Sequence, residues 1–189
     1  NVLETEYLTP KIADFGLSKQ LHQNDSSMSL KQTADIKGTP IYIAPEIWKS
    51  CSYTKSSDVY AYGITVYEIV TNDEPFKIDN IYQFYAQIVH QNFRPQFKSP
   101  IPEAYKNLIE SCWAENPNSR PTFDDIVYEL KNNPGFITDD IDSKDFFDYV
   151  YSIEKIEASM KNDKKGIRIE KIISKFSNIN NVKIIEKED

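Results

Sequence analysis

Glycine is scarce in this chain, 5 of 189 residues, and no two of them share the spacing of a Gly-rich loop that cradles phosphate, so these residues contain no such loop. The 2 cysteines, Cys51 and Cys112, lie far apart without metal-type spacing. That excludes a disulfide framework and a cysteine zinc site, and it fits a reducing compartment, with the cytoplasm as the expected location. Long apolar runs are missing too. Even Ile64 to Val70 is interrupted by Thr65 and Glu68, well short of the roughly 18–20 apolar residues of a membrane-spanning helix. Basic residues are outnumbered, 22 against 29 acidic ones for a net charge of −7, which argues against a nucleic-acid partner because the total charge repels a polyanion. No basic-then-apolar leader opens the chain, which begins with Asn1 rather than methionine, and the expectation is a fragment or a processed product.

Core-forming material is plentiful: 40% of the residues are hydrophobic and 13% aromatic, with 12 Tyr and 10 Phe. The length predicts one domain with an appendage. Residues 1 to 16 read as a strand pair around a turn. Leu17 to Gly38 is polar and aperiodic, the pattern of a long mobile loop. Pro45 opens a short helix through Trp48, and Ser56 or Ser57 looks like the cap of a helix running from Asp58 to about Val70. That helix has almost no polar face, which predicts burial on most sides. Helices follow near Asn80 to His90 and Pro102 to Trp113. Thr122 caps another, with Phe123, Ile126, Val127 and Leu130 inward, ending before Pro134 and Gly135. The first 133 residues thus read as one mostly α-helical module.

From 134 to 189 the composition turns charged and Asn-rich. Phe146, Phe147, Val150, Tyr151 and Ile153 suggest one helix, and Ile169, Ile172, Ile173 and Phe176 another. Lys164, Arg168, Lys171 and Lys175 share a face of the latter, either a solvated face or a contact for an acidic partner or anionic lipid.

The tripeptide Asp14-Phe15-Gly16 recurs by chance, but its surroundings do not. Asn1-Val2-Leu3, a turn, Lys11-Ile12-Ala13-Asp14-Phe15-Gly16-Leu17-Ser18, then Gly38-Thr39 and Tyr42-Ile43-Ala44-Pro45-Glu46, then Asp58 to Gly63, Cys112-Trp113 and Arg120-Pro121-Thr122-Phe123 stand in one order over about 133 residues. The series resembles the end of the catalytic loop, the magnesium loop, the activation segment and the late helices of a protein kinase. The resemblance implies an α+β parent fold, of which this chain is the mostly helical C-lobe with a short strand pair at its N-terminus. The tail from 134 lies outside it, with a protein partner as one possible role.

The resemblance also implies roles. Phosphoryl transfer needs its phosphate charge neutralised by hard Mg²⁺, which prefers carboxylate and amide oxygens. Asp14 resembles the metal-binding carboxylate and Asn1 the amide that holds a second metal. The bland readings are a turn cap and a frayed terminal residue. Phe15 and Gly16 resemble the apolar plug and the hinge of that loop. Ala44, Pro45 and Glu46 close the activation segment, and Glu46 and Arg120 resemble the family's buried ion pair. Asp58 resembles the helix aspartate that accepts backbone bonds from the catalytic loop, and Gly63 belongs to the same helix motif. Thr39 stands where Ser/Thr kinases place a hydroxyl near the catalytic aspartate, while Cys112-Trp113 and Arg120 to Phe123 look tyrosine-kinase-like. The tyrosine-kinase-like Ser/Thr group reconciles the two. Ser26, Ser27, Ser29 and Thr33 are candidate regulatory phosphosites.

The phosphate loop, the third-strand lysine and the His-Arg-Asp motif of a complete kinase are not among these residues, so none of them is a catalytic base. The expected reading is a chain starting inside the catalytic loop, inactive alone, whose complete form uses ATP and Mg²⁺ on a protein substrate. Two competitors remain, a pseudokinase or scaffold that docks partners without phosphotransfer, and a non-functional gene fragment.

Overall fold

The helix starts after Thr54, Asn80 and Thr122 are set by hydroxyl and amide side chains that take up otherwise orphaned backbone N–H groups. A computed structural model describes residues 2–4, 10–18, 28–29, 37–139 and 141–162. It divides into two compact units, residues 1–138 and 139–189. In the first, strands β1 (Val2–Glu4) and β2 (Pro10–Ile12) pair antiparallel, Val2 opposite Ile12. Strand β3 (Met28–Ser29) pairs antiparallel with β4 (Ser52–Tyr53), so the polar stretch expected to be a plain loop includes two ladder residues. A two-residue strand has no readable periodicity, and its partner lies far along the chain.

Helix α1 (Pro45–Ser50) begins with Pro45 in its first turn and ends at Cys51, whose φ of 52° is left-handed. Helix α2 (Lys55–Thr71) is the long central one. Its cap is Thr54, a correction to the expected Ser56 or Ser57. The Ser57 N–H donates to Thr54 Oγ1 at 3.2 Å and the Thr54 N–H donates to Ser57 Oγ at 3.2 Å, a reciprocal pair that starts the helix three residues earlier. Asn80 caps α3 (Ile81–His90) by accepting from Tyr82 and Gln83. Helix α4 (Glu103–Cys112) follows Pro102, and Thr122 with Asp125 forms a second reciprocal cap for α5 (Phe123–Asn132).

Helix α2 contributes to both core clusters. Tyr60, Ile64 and Tyr67 join Ile43, Ala44, Ile47, Phe76, Phe84, Ile88, Ile109 and Trp113, while Val59 joins Leu108, Cys112, Ile126 and Phe136. The α2 and α4 backbones approach so closely at Gly63 that an added Cβ would lie 2.7 Å from the Cys112 Cβ. Burial of α2 extends over most of its surface, as its composition implies, and of its apolar residues only Ile69, at 72%, stands exposed. Phe123 and Val127, expected inward, are 43% and 41% exposed. Phe123 is covered on one side, edge-on to Tyr62 at 5.7 Å.

In the second unit α6 (Ser143–Asn162) is opened by Asp142, whose carboxylate accepts from the N–H of Lys144 at 2.7 Å and of Asp145 at 3.3 Å. The helix expected around Ile169 to Phe176 and the basic face Lys164, Arg168, Lys171 and Lys175 lie outside the described residues. Among the described residues no helix is long and apolar enough to cross a membrane.

Gly63→Ala sets helix propensity, a gain of about 1 kcal/mol, against overpacking that costs about 1–3 kcal/mol. With a Cβ contact of 2.7 Å the steric cost dominates. The variant's thermal midpoint is expected to fall, and an unchanged or raised midpoint would show that α2 and α4 separate without cost.

Candidate functional site

Strand β2 delivers the chain into Asp14-Phe15-Gly16. Asp14 has φ 61° and ψ 66°, left-handed for a side-chain-bearing residue, and precedes a single 3-10 turn, Phe15–Leu17, closed by the Ser18 N–H donating to the Phe15 carbonyl at 3.0 Å. Such a conformation costs about 1–2 kcal/mol in most residues and less in Asp, whose short polar side chain tolerates it. Backbone strain of this kind concentrates at functional loops. Asp14 and Gly16 are exposed, and Phe15 is 62% exposed, so here it plugs nothing. Asn1 lies outside the described residues, as do Ser26, Ser27 and Thr33. Ser29 is in β3.

Further on, Thr39 is exposed with extended backbone, at the head of a 3-10 turn, Pro40–Tyr42. The turn is held by the Tyr42 N–H donating to the Thr39 carbonyl at 3.1 Å and the Ile43 N–H donating to the Pro40 carbonyl at 3.1 Å. Tyr42 Oη donates to Glu68 Oε2 on α2 at 2.6 Å. Burial first, then the bond to Glu68 and its charge, push the Tyr42 phenol up to about 12, so it remains a donor at neutral pH. Ala44 and Pro45 are buried and lead directly into Glu46.

Glu46 meets Arg120 in a two-pronged pair, Arg120 Nη1 donating to Oε1 at 2.8 Å and Nη2 to Oε2 at 2.9 Å. The Arg120 side chain is 0% exposed and that of Glu46 17%. Further bonds compensate the burial. Ser57 Oγ donates to Glu46 Oε1 at 2.9 Å, Arg120 Nη1 to the Ser56 carbonyl at 2.9 Å, and Arg120 Nε to the Ala114 carbonyl at 3.0 Å. The guanidinium also lies over the Tyr60 ring, 5.3 Å from its centroid, and Arg94 approaches the same ring at 5.4 Å. Burial pushes the Tyr60 phenol up to about 12 against the lowering influence of the two guanidinium charges.

Asp58 stands in the first turn of α2, its surface open to solvent. Partial desolvation by the surrounding protein nevertheless raises its carboxyl above the ordinary aspartate value. The structure therefore joins Thr39, Ala44, Pro45, Glu46 and Arg120 into one anchored loop, with Asp58 and Gly63 on the helix that carries it. Sequence reasoning missed Thr54, Tyr60 and Arg94, and read Ser57 only as a candidate cap. The Thr54-x-x-Ser57 spacing was a usable signal, whereas Tyr60 and Arg94 carried none.

Among the described residues no group of three or more His, Cys, Asp or Glu side chains is placed to hold a metal. Mg²⁺ does not require one, because it is commonly held by one or two carboxylates together with substrate phosphates and water. The exposed carboxylate of Asp14 fits one such ligand position.

Residues 1–130 match the family model described as protein tyrosine and serine/threonine kinase, and the chain belongs to that family. The described fold is that of the family's helical lobe. Among curated proteins of Dictyostelium discoideum, the dual specificity protein kinase shkA is 38% identical over 132 residues, which cover 69% of this chain and 25% of the relative. A probable LIM domain-containing serine/threonine-protein kinase is 35% identical over 131 residues, covering 69% and 19%. The probable serine/threonine-protein kinase drkC is 32% identical over 131 residues, covering 69% and 17%. The chain thus spans a quarter or less of the length of these relatives. Protein kinases of this family use ATP and Mg²⁺ and act on proteins.

Removing one partner of a buried, hydrogen-bonded ion pair leaves the other charge uncompensated, at about 3–5 kcal/mol. Arg120→Ala is expected to lose that much in urea denaturation, and Glu46→Ala at least as much, because it strands the fully buried Arg120 guanidinium. A loss below about 1 kcal/mol for Arg120→Ala would place the pair among surface ion pairs of little consequence.

Proposed function

We propose that this chain is the C-lobe of a tyrosine-kinase-like protein kinase that transfers the ATP γ-phosphate to Ser/Thr hydroxyls of cytoplasmic proteins. The observation that carries the reading is the loop from Thr39 to Glu46, locked at its far end by Arg120 and along its length by the Tyr42 to Glu68 bond. In this reading Asp14 binds Mg²⁺ and Asn1 a second ion. The metal neutralises phosphate charge when bound. Thr39 presents its exposed hydroxyl toward the catalytic aspartate, and phosphate on Ser26, Ser27, Ser29 or Thr33 regulates the loop. The tail that follows the first unit, residues 139–189, docks a protein partner.

Because the 189 residues hold no phosphate loop, third-strand lysine or His-Arg-Asp aspartate, transfer belongs to a complete domain in which this lobe is joined to those parts, and the lobe alone is inactive. Exposed apolar side chains support the reading. Val2, Leu3, Ile12 and Phe15, on the strand pair and the turn that follows it, are each more than half exposed, apolar groups suited to contact with the rest of a kinase domain.

The test is a phosphotransfer assay on the complete polypeptide with ATP, Mg²⁺ and a generic Ser/Thr protein substrate. Asp14→Ala is expected to abolish transfer while changing stability by no more than about 1 kcal/mol. Transfer that survives in Asp14→Ala would refute the metal role. A complete wild-type polypeptide that docks partner proteins without transferring phosphate would replace the enzyme reading with a scaffold.

A further inference from the structure

Away from the anchored loop, α4, α5 and the 3-10 turn Pro134–Phe136 enclose a groove of about 210 Å³. Ala104, Leu108, Ile126 and Phe136 supply its apolar lining, and Asp125 and Glu129 are the charged residues that line it. The turn is pinned in place. Tyr105 packs edge-on to Phe136 at 5.0 Å and its Oη donates to the Phe136 carbonyl at 3.1 Å, while Asn133 Oδ1 accepts from the Gly135 N–H at 2.9 Å. The groove is therefore formed before anything enters it, which lowers the ordering cost of binding.

Its size decides what can enter. At ~30 Å³ per water it holds about seven water volumes, below the ~300–1,000 Å³ typical of cofactor and drug-sized sites and too small in volume for a helix, but sufficient for one long side chain. Its charge decides which. Asp125 and Glu129 are four residues apart and so share one face of α5, and both are exposed at the rim. Asp125 is kept ionised by the Thr122 hydroxyl and N–H, at 2.6 and 2.9 Å. The Glu129 carboxylate receives one long bond among the described residues, from Asn133 Nδ2 at 3.4 Å. A leucine would leave two carboxylates facing an apolar group, and a phosphate or anionic lipid would be repelled. A guanidinium on an aliphatic stem satisfies both halves, its stem on the apolar lining and its donors on the rim.

We infer that this groove is a docking site for an arginine side chain of a partner protein's extended segment. It is separate from the loop that the kinase reading assigns to substrate positioning, and it does not depend on that reading.

The test uses the full 189-residue chain and a fluorescein-labelled peptide, Gly-Ala-Arg-Ala-Gly, against a twin with neutral citrulline in place of arginine, read by fluorescence anisotropy at low salt. The arginine peptide is expected to bind at least about fivefold more tightly, as a charge-assisted bond outweighs a neutral one. The preference is expected to shrink toward unity in Glu129→Gln, a surface change that leaves the fold intact by circular dichroism. Asn107→Trp, which places bulk at the groove wall, should weaken the arginine peptide without altering the melting curve. The inference is overturned if the arginine peptide binds no better than its citrulline twin, including when neither binds, if the preference persists in Glu129→Gln, or if Asn107→Trp leaves binding unchanged.

Discussion

One buried guanidinium, that of Arg120, donates to three separate stretches of chain: the Glu46 carboxylate at the loop's end, the Ser56 carbonyl at the start of α2 and the Ala114 carbonyl after α4. A charge removed from water costs several kcal/mol unless its geometry and remaining donors are satisfied. Arginine suits such a place because its planar fork matches a carboxylate at two points and still has donors left for backbone oxygens. Ser57 links the anchor to the helix start, since its hydroxyl donates to Glu46 and accepts from the Thr54 N–H. The cap of α2 and the end of the loop are thereby one hydrogen-bonded network, and a change in either reaches the other.

From that network the rest of the first unit follows. Helix α2 forms a common wall for two apolar clusters. Gly63 lets α4 close against it, and the Tyr67 ring packs at a tilt against Phe97 and Trp113, at 5.4 and 5.8 Å. Against this rigid wall the loop from Thr39 to Glu46 is fixed at Tyr42 and Glu46 while Thr39 stays exposed. In the proposed function such support under an exposed hydroxyl serves to position a substrate, where a small misplacement of reacting groups is costly in rate. By contrast, Asp14 and Phe15, at the start of a single 3-10 turn, stand open to solvent.

Much of this was legible from residue spacing. Thr122 announced its helix as a cap, and the apolar positions of α3 and α4 lay at three and four spacing. Thr54 was passed over because Ser52, Thr54, Ser56 and Ser57 offer several hydroxyls in succession, and only the turn of Ser57 toward Glu46 selects among them. Phe123 and Val127 fit the apolar stripe of α5, yet a stripe gives direction without saying how far neighbours extend over it. The Glu46 to Arg120 pair spans 74 residues, beyond any local pattern, and it was expected through family resemblance alone. The groove between α4 and α5 had no sequence signal at all, because its rim charges look like ordinary solvated helix residues.

The central claim is that the Arg120 pair holds the loop locally, and residue-resolved hydrogen exchange on Glu46→Gln, which removes the charge and keeps the shape, tests it directly. The account predicts that the amides of Tyr42, Ile43 and Ile47, all bonded within the segment, exchange at least about tenfold faster, equivalent to about 1.4 kcal/mol of lost local stability, while those of Ile109 and Ile126 in α4 and α5 keep their protection. Unchanged exchange at the three loop amides, or an equal loss across all five, would contradict it.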